Sequence, residues 1–232
     1  MNIKLSDNRV GTQEDNFQNT DEKHPRFYDQ KEPVIRTLNE IDVSGTYSYA
    51  NYLRWEISER LELVKGKIFP MKSPSTLHQR CTGRIFVVLA LFLKHKRCEV
   101  FVAPFDVRFP YQSKDDVDIT TVLQPDICVV CERSKIDKRG CSGAPDIVVE
   151  VLSSGDSKTE LDNKYRIYEE FGVREYWIVQ PSERSVFKYI LTDEGVFSAG
   201  RPYTPGQMLA SDVLPGFQLN IAELFFDAEE EE

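Results

Sequence analysis

The stretch "APDIVVEVLSS", Ala144 to Ser154, decides the fold. Ile147, Val148, Val149, Val151 and Leu152 form a run of aliphatic, mostly β-branched residues, the pattern of a strand buried on both faces. Glu150 interrupts that run. A carboxylate placed there leaves water at a cost of several kcal/mol unless a basic partner, a proton or a metal ion compensates it. The residues around the strand can be searched for each of these.

Downstream, "DSKTELDNKYRIYEEFGV" has helical boundary signals: Ser157 and Glu160 suit a capping box and Gly172 suits a stop. On a wheel of ~100° per residue, Leu161, Tyr165, Tyr168 and Phe171 define one apolar face, and Lys164 falls inside it. The strand climbs past Glu150, turns at "SGDS", and the helix returns at ~1.5 Å per residue. This brings Lys164 roughly level with Glu150. Upstream, "QPDICVV" contributes Asp126 at the opening of another strand. Asp146 shares a strand face with Glu150, four residues earlier. Carboxylates converging at one strand edge repel unless a divalent cation lies between them. Two carboxylates and a lysine form a set suited to metal-assisted hydrolysis of a phosphodiester. A structural ion pair between Glu150 and Lys164 is the plainer alternative.

Working outward, "SYANYLRWEISERLELVKGKIFPM" reads as a short helix capped by Ser48, then a hairpin turning at Gly66. "SPSTLHQRCTGRIFVVLALFLKHKR" reads as one long, mostly buried helix entered after Pro74. "CEVFVAPFDVRF", "DICVVC" and "DIVVEVLS" follow as strands, and "REYWIVQP" follows the second helix. "SVFKYILT" and "GVFSAGRPYT" suit a terminal hairpin around "DEG". The resulting order is helix, three strands, helix, strand: an α/β domain with a mixed sheet flanked by helices.

The motifs "RLELVKGKIFPMKSPS…H", "QPDICVV", "APDIVVEVLSS" and "GVREYWIVQP", taken in order, resemble the Uma-type putative restriction endonuclease family. That family is a branch of the PD-(D/E)XK nuclease superfamily, and the resemblance runs from about Ser48 to Pro181. It implies a restriction-endonuclease-like core, magnesium or manganese as cofactor, and DNA as substrate. It makes Asp126 and Glu150 metal ligands. The motif lysine should follow Glu150 by two residues, where Leu152 stands; the family resembles branches in which that lysine migrates to the next helix, the position of Lys164. Glu62 and His78 match further polar positions, with Asp146 as a supporting candidate. Gln180 stands where family members often carry an aspartate.

The bulk properties set limits. A hydrophobic content of 41% supports a substantial core in 232 residues. Residues 1–33 are polar and suggest a mobile extension, leaving 34–232 as one endonuclease-like domain with an acidic tail. No run approaches the ~20 apolar residues of a membrane span, and the first residues lack a signal-peptide core, so a cytoplasmic location is expected. Five cysteines suggest reduced, inert thiols. The Cys128–Cys131 pair suits zinc poorly, because residues three apart on a strand face opposite ways. The net charge of −9 argues against general attraction to phosphate, so a nucleic-acid contact has to be local. "KHKR", Lys94 to Arg97, is the one dense basic run. Cutting a duplex would favour a homodimer. A non-catalytic binding or assembly module on the same fold is the competing reading, favoured by the acidic charge.

Overall fold

A computed structural model describes residues 34–153 and 158–226. The proposed extension, the acidic tail, and Ser154 and Ser157 at the helix entry lie outside the described residues. The elements in chain order are α1 (Tyr49–Tyr52), β1 (Leu61–Val64), β2 (Lys67–Pro70), α2 (Thr76–Leu93), β3 (Glu99–Val102), β4 (Val107–Arg108), β5 (Val122–Leu123) and β6 (Ile127–Val130). They continue with β7 (Ile136–Asp137), β8 (Gly140–Ser142), β9 (Ile147–Val151), α3 (Lys158–Glu170), β10 (Glu175–Gln180), β11 (Ser185–Ile190), β12 (Arg201–Tyr203), β13 (Met208–Ala210), β14 (Gln218–Asn220) and α4 (Ile221–Leu224).

The central sheet runs β12-β11-β10-β9-β6-β3. It is mixed: β9 is parallel to β10 and antiparallel to β6. Alternation along its strands sends side chains to two cores. Ile127, Val129, Val149 and Trp177 pack with Cys81, Ile85 and Leu89 of α2 on one face. Cys128, Val148, Tyr176 and Ile178 pack with Ile167 and Tyr168 of α3 on the other. This is the helix, strands, helix, strand core that the order of motifs implies.

A second sheet, β2-β1-β5-β4-β8-β7, was not expected as a separate unit. "CEVFVAPFDVRF" is two strands rather than one. Pro104 divides it, since proline has no N–H for the ladder, so β3 stays in the central sheet and β4 joins the second. The β1–β2 hairpin turns at Lys65 and Gly66, with φ of 47° and 79°. Two successive left-handed residues match the twist of the flanking strands. A Cβ on Gly66 would come within 2.4 Å of Thr46 Cγ2.

Cys98 and Cys131 are joined by a disulfide. They flank the paired residues Glu99 and Val130 on β3 and β6, so the ladder itself brings them together. The expectation of inert thiols therefore applies to Cys81, Cys128 and Cys141, which are buried and free. Cys128 and Cys131 sit in opposite cores, as strand alternation requires.

Candidate active site

The cleft forms where the two sheets and two helices meet. Antiparallel pairing of Ile127 with Val149 sets Asp126, just before β6, beside the end of β9 that carries Glu150. The backbone N–H of Val151 donates to Asp126 Oδ2 at 2.8 Å, which locks the two acids side by side. α3 then runs back across this face. Lys164 Nζ lies 3.1 Å from Glu150 Oε1, and Tyr168, one turn further along, donates its hydroxyl to the same oxygen at 2.5 Å.

The second sheet contributes from the other side. Glu62 on β1 places Oε1 3.1 Å from Lys164 Nζ and accepts the Gln124 backbone N–H at 3.0 Å. One ammonium is therefore shared by carboxylates from both sheets. α2 supplies the remaining wall. Its N-terminus is capped by Ser75, whose Oγ accepts from the backbone N–H of His78. The imidazole Nε2 of His78 meets Asp126 Oδ2 at 3.1 Å, and Nδ1 faces Thr82 Oγ1 at 3.5 Å. These groups border a cleft of about 120 Å³, which Arg60, Lys72 and Gln79 also line.

Of the six residues read from the sequence, Asp126, Glu150, Lys164, Glu62 and His78 meet at this cleft. Asp146 does not. Four residues along β9 at ~3.3 Å each carry it to the far end of the strand. There its Oδ1 pairs with Arg174 at 3.0 Å and its Oδ2 accepts the Cys131 backbone N–H at 2.7 Å. Sharing a strand face did not bring it to the same site. Tyr168, Gln124 and Arg60 were not singled out. Tyr168 was legible in principle, because it lies four residues beyond Lys164 on one helix face. The approach of Gln124 and Arg60 depends on the second sheet.

The electrostatics follow from burial. Desolvation pushes the Glu150 carboxyl up to about 7. Lys164 and the Tyr168 hydroxyl pull it down, while Asp126 and Glu62 add to the rise. Burial opposes the charge on Lys164, but attraction to Glu150, Glu62 and Asp126 outweighs it and holds the ammonium well above its ordinary value. The lysine therefore stays charged, and the acids around it are in excess.

The donor set fits a small divalent cation. Asp126 Oδ2 is occupied by Val151 and His78, and Glu150 Oε1 by Lys164 and Tyr168; among the described residues the second oxygen of each carboxylate takes no hydrogen bond. Magnesium is commonly held by one or two carboxylates, with water and substrate oxygens completing its shell. No group of three or more His, Cys, Asp or Glu suited to a metal occurs among the described residues; the two carboxylates available at this cleft edge are those of Asp126 and Glu150.

Comparison with known proteins agrees with this architecture. A family model described as "Uma2: Putative restriction endonuclease" matches residues 49–222. A putative nuclease of Anabaena variabilis, assigned to DUF820, has a similar crystal structure: TM-score 0.62 over 78% of this chain and 98% of that one, at 21% identity. An uncharacterized protein of Synechocystis sp. is 26% identical over 123 residues, 51% of this chain. The chain spans 66% of that relative's length.

Proposed function

The chain belongs to the Uma2 family of putative restriction endonucleases, and on that premise we propose that it is a metal-dependent nuclease that hydrolyses phosphodiester bonds in DNA. The observation that carries the reading is the shared cleft. Glu62 and Glu150, from two different sheets, hold the ammonium of Lys164 beside open space, and Asp126 lies next to Glu150 at the same cleft.

Asp126 and Glu150 would hold magnesium or manganese through their unengaged oxygens. A bound ion of this kind supplies Lewis-acid polarisation of the phosphoryl oxygen and a water of lowered pKa. The protein supplies the rest. His78 and the Val151 amide fix the rotamer of Asp126. Tyr168 fixes Glu150. Lys164, anchored by two acids, presents a positive charge where negative charge develops on the phosphoryl group. Glu62 sets the height of that lysine. Duplex cleavage would call for two copies of the chain.

The test is cleavage of plasmid and linear duplex DNA in magnesium or manganese, with a chelator control. Wild-type protein should nick or cut, chelator should abolish the activity, and Asp126→Asn and Glu150→Gln should each lower the rate by roughly 100-fold or more. Cleavage that survives chelation, or survives both substitutions, would sink the proposal. A non-catalytic module is the second reading. It is favoured by the ion triad of Glu62, Lys164 and Glu150, which needs no metal to persist, and by the net charge of −9. Wild-type protein that binds duplex DNA but never cuts it would support that reading.

A further inference from the structure

Arg60, like Lys72, is a cation of this cleft that the proposed chemistry leaves unused. It stands two residues before Glu62, so extended backbone turns both side chains toward the same side. Its Nε donates to Gln124 Oε1 at 2.8 Å. The amide of Gln124 is itself fixed, with Nε2 donating to Asp106 Oδ1 at 2.8 Å and to the Tyr52 hydroxyl at 3.2 Å. Gln124 also gives its backbone N–H to Glu62. One residue thus braces both the site glutamate and the neighbouring guanidinium.

The guanidinium is braced but not neutralised. Among the described residues, no carboxylate pairs with Arg60, whereas Lys164 is held by two. Nη2 of Arg60 is buried with no acceptor. Buried donors are nearly always satisfied, so an orphaned one beside a cleft calls for an acceptor from outside the protein, an ordered water or a ligand atom. With no carboxylate paired to it, the guanidinium favours an anionic acceptor, and its planar fork matches phosphate oxygens.

Resting on the nuclease reading, we infer that Arg60 forms a phosphate subsite that grips the nucleic-acid backbone next to the phosphate being cut. Arg60 is a substrate-positioning residue there: it fixes the strand's register relative to Asp126 and Glu150 and exchanges no proton. This explains how a chain of net charge −9 can hold a polyanion. The attraction is local and geometric rather than a field over the whole surface.

The experiment is equilibrium binding of a fluorescent DNA duplex to the full chain in calcium, over a range of potassium chloride concentrations. Wild type, Arg60→Gln and Arg60→Lys are compared, with thermal midpoints recorded for each. Arg60→Gln should flatten the plot of log affinity against log salt by about 0.9, one phosphate contact. Affinity should fall roughly tenfold or more, as for one charged hydrogen bond. Arg60→Lys keeps the charge but loses the fork, so it should keep the wild-type slope at reduced affinity. Should Arg60→Gln fail to fold, Arg60→Lys decides by itself: undiminished affinity overturns the inference. Equal slopes in wild type and Arg60→Gln, with only the thermal midpoint moved, would make Arg60 a structural brace and also overturn it. Wild-type protein that does not bind the duplex overturns it as well. The two proposals fail separately. An Arg60-dependent slope without any cleavage removes the nuclease reading alone, and cleavage with equal slopes removes the subsite alone.

Discussion

Glu150 was conspicuous in the sequence because it broke a hydrophobic strand, and the structure gives that conspicuousness a charge state. Burial raises its carboxyl from an ordinary value of 4.5 to about 7. An acid whose pKa is raised by folding favours the folded state while protonated, below pH 4.5, and loses that contribution as pH climbs through 7. Metal-free wild-type protein should therefore lose stability relative to Glu150→Gln as pH rises from about 4.5 to 7, and the difference should level off beyond. Chemical denaturation of both proteins in chelator at several pH values measures this. A stability difference that is flat across that window would mean Glu150 stays ionised in the fold. Glu150 and Lys164 were legible because each is a charge inside an apolar pattern, whereas Asp126 was legible from its place at the opening of a strand and from the family resemblance. His78 was legible as a residue but its bond to Asp126 was not, since no spacing relates position 78 to position 126. Asp146 shows the opposite failure. It obeyed the period of two, yet strand length put it at the wrong end.

At the scale of elements, the parts with strong periodicity or caps were readable, and those held only by distant pairing were not. α2 and α3 match their sequence segments because each is long enough to show a helical period, and β6, β9 and β10 because each is a continuous, mostly apolar run. β4, β5 and β7 are two residues each, too short for any pattern. They exist because they pair with each other and with β1 and β8, a non-local fact. The disulfide belongs to the same class, following from the β3–β6 register. Within α2 the burial pattern also marks a weak point. Gly83 sits in the helix interior on an exposed face, and a Cβ there meets nothing within 4 Å. Its backbone is helical, so alanine introduces no strain and narrows the unfolded ensemble. Gly83→Ala should stabilise the fold by about 0.5–1 kcal/mol, visible as a higher denaturant midpoint at unchanged slope. A lower midpoint would show that this face of α2 is packed against something in solution.

At the scale of the molecule, the two sheets share an apolar core, in which Val107 and Leu123 meet Cys128 and Val148, and at the cleft Lys164 adds a charged link between them. α2 carries His78 in its first turn and ends before the basic run Lys94–Arg97, and 18 helical residues span roughly 27 Å. That run is therefore a helix length from the site, and the nearby cations are Arg60, Lys72 and Lys164. No described helix is long and apolar enough to cross a membrane. In the unfolded chain Asp126 and Glu150 are 24 positions apart, so a cation chelated by both binds the folded state almost exclusively. Binding must then stabilise the whole domain. At 100 times the dissociation constant the gain is about 2.7 kcal/mol, and a chain of this size converts that into roughly 5–10 °C of thermal midpoint. Because Glu150 binds as the carboxylate, the shift should be larger at pH 8 than at pH 5.5, on either side of its value of about 7. Differential scanning fluorimetry with manganese against chelator measures it, and Asp126→Ala should abolish the shift while still folding. A wild-type midpoint that ignores millimolar manganese at pH 8 would leave the acids as a purely structural ion cluster around Lys164. A shift that persists unchanged in Asp126→Ala would move the metal to some other part of the chain.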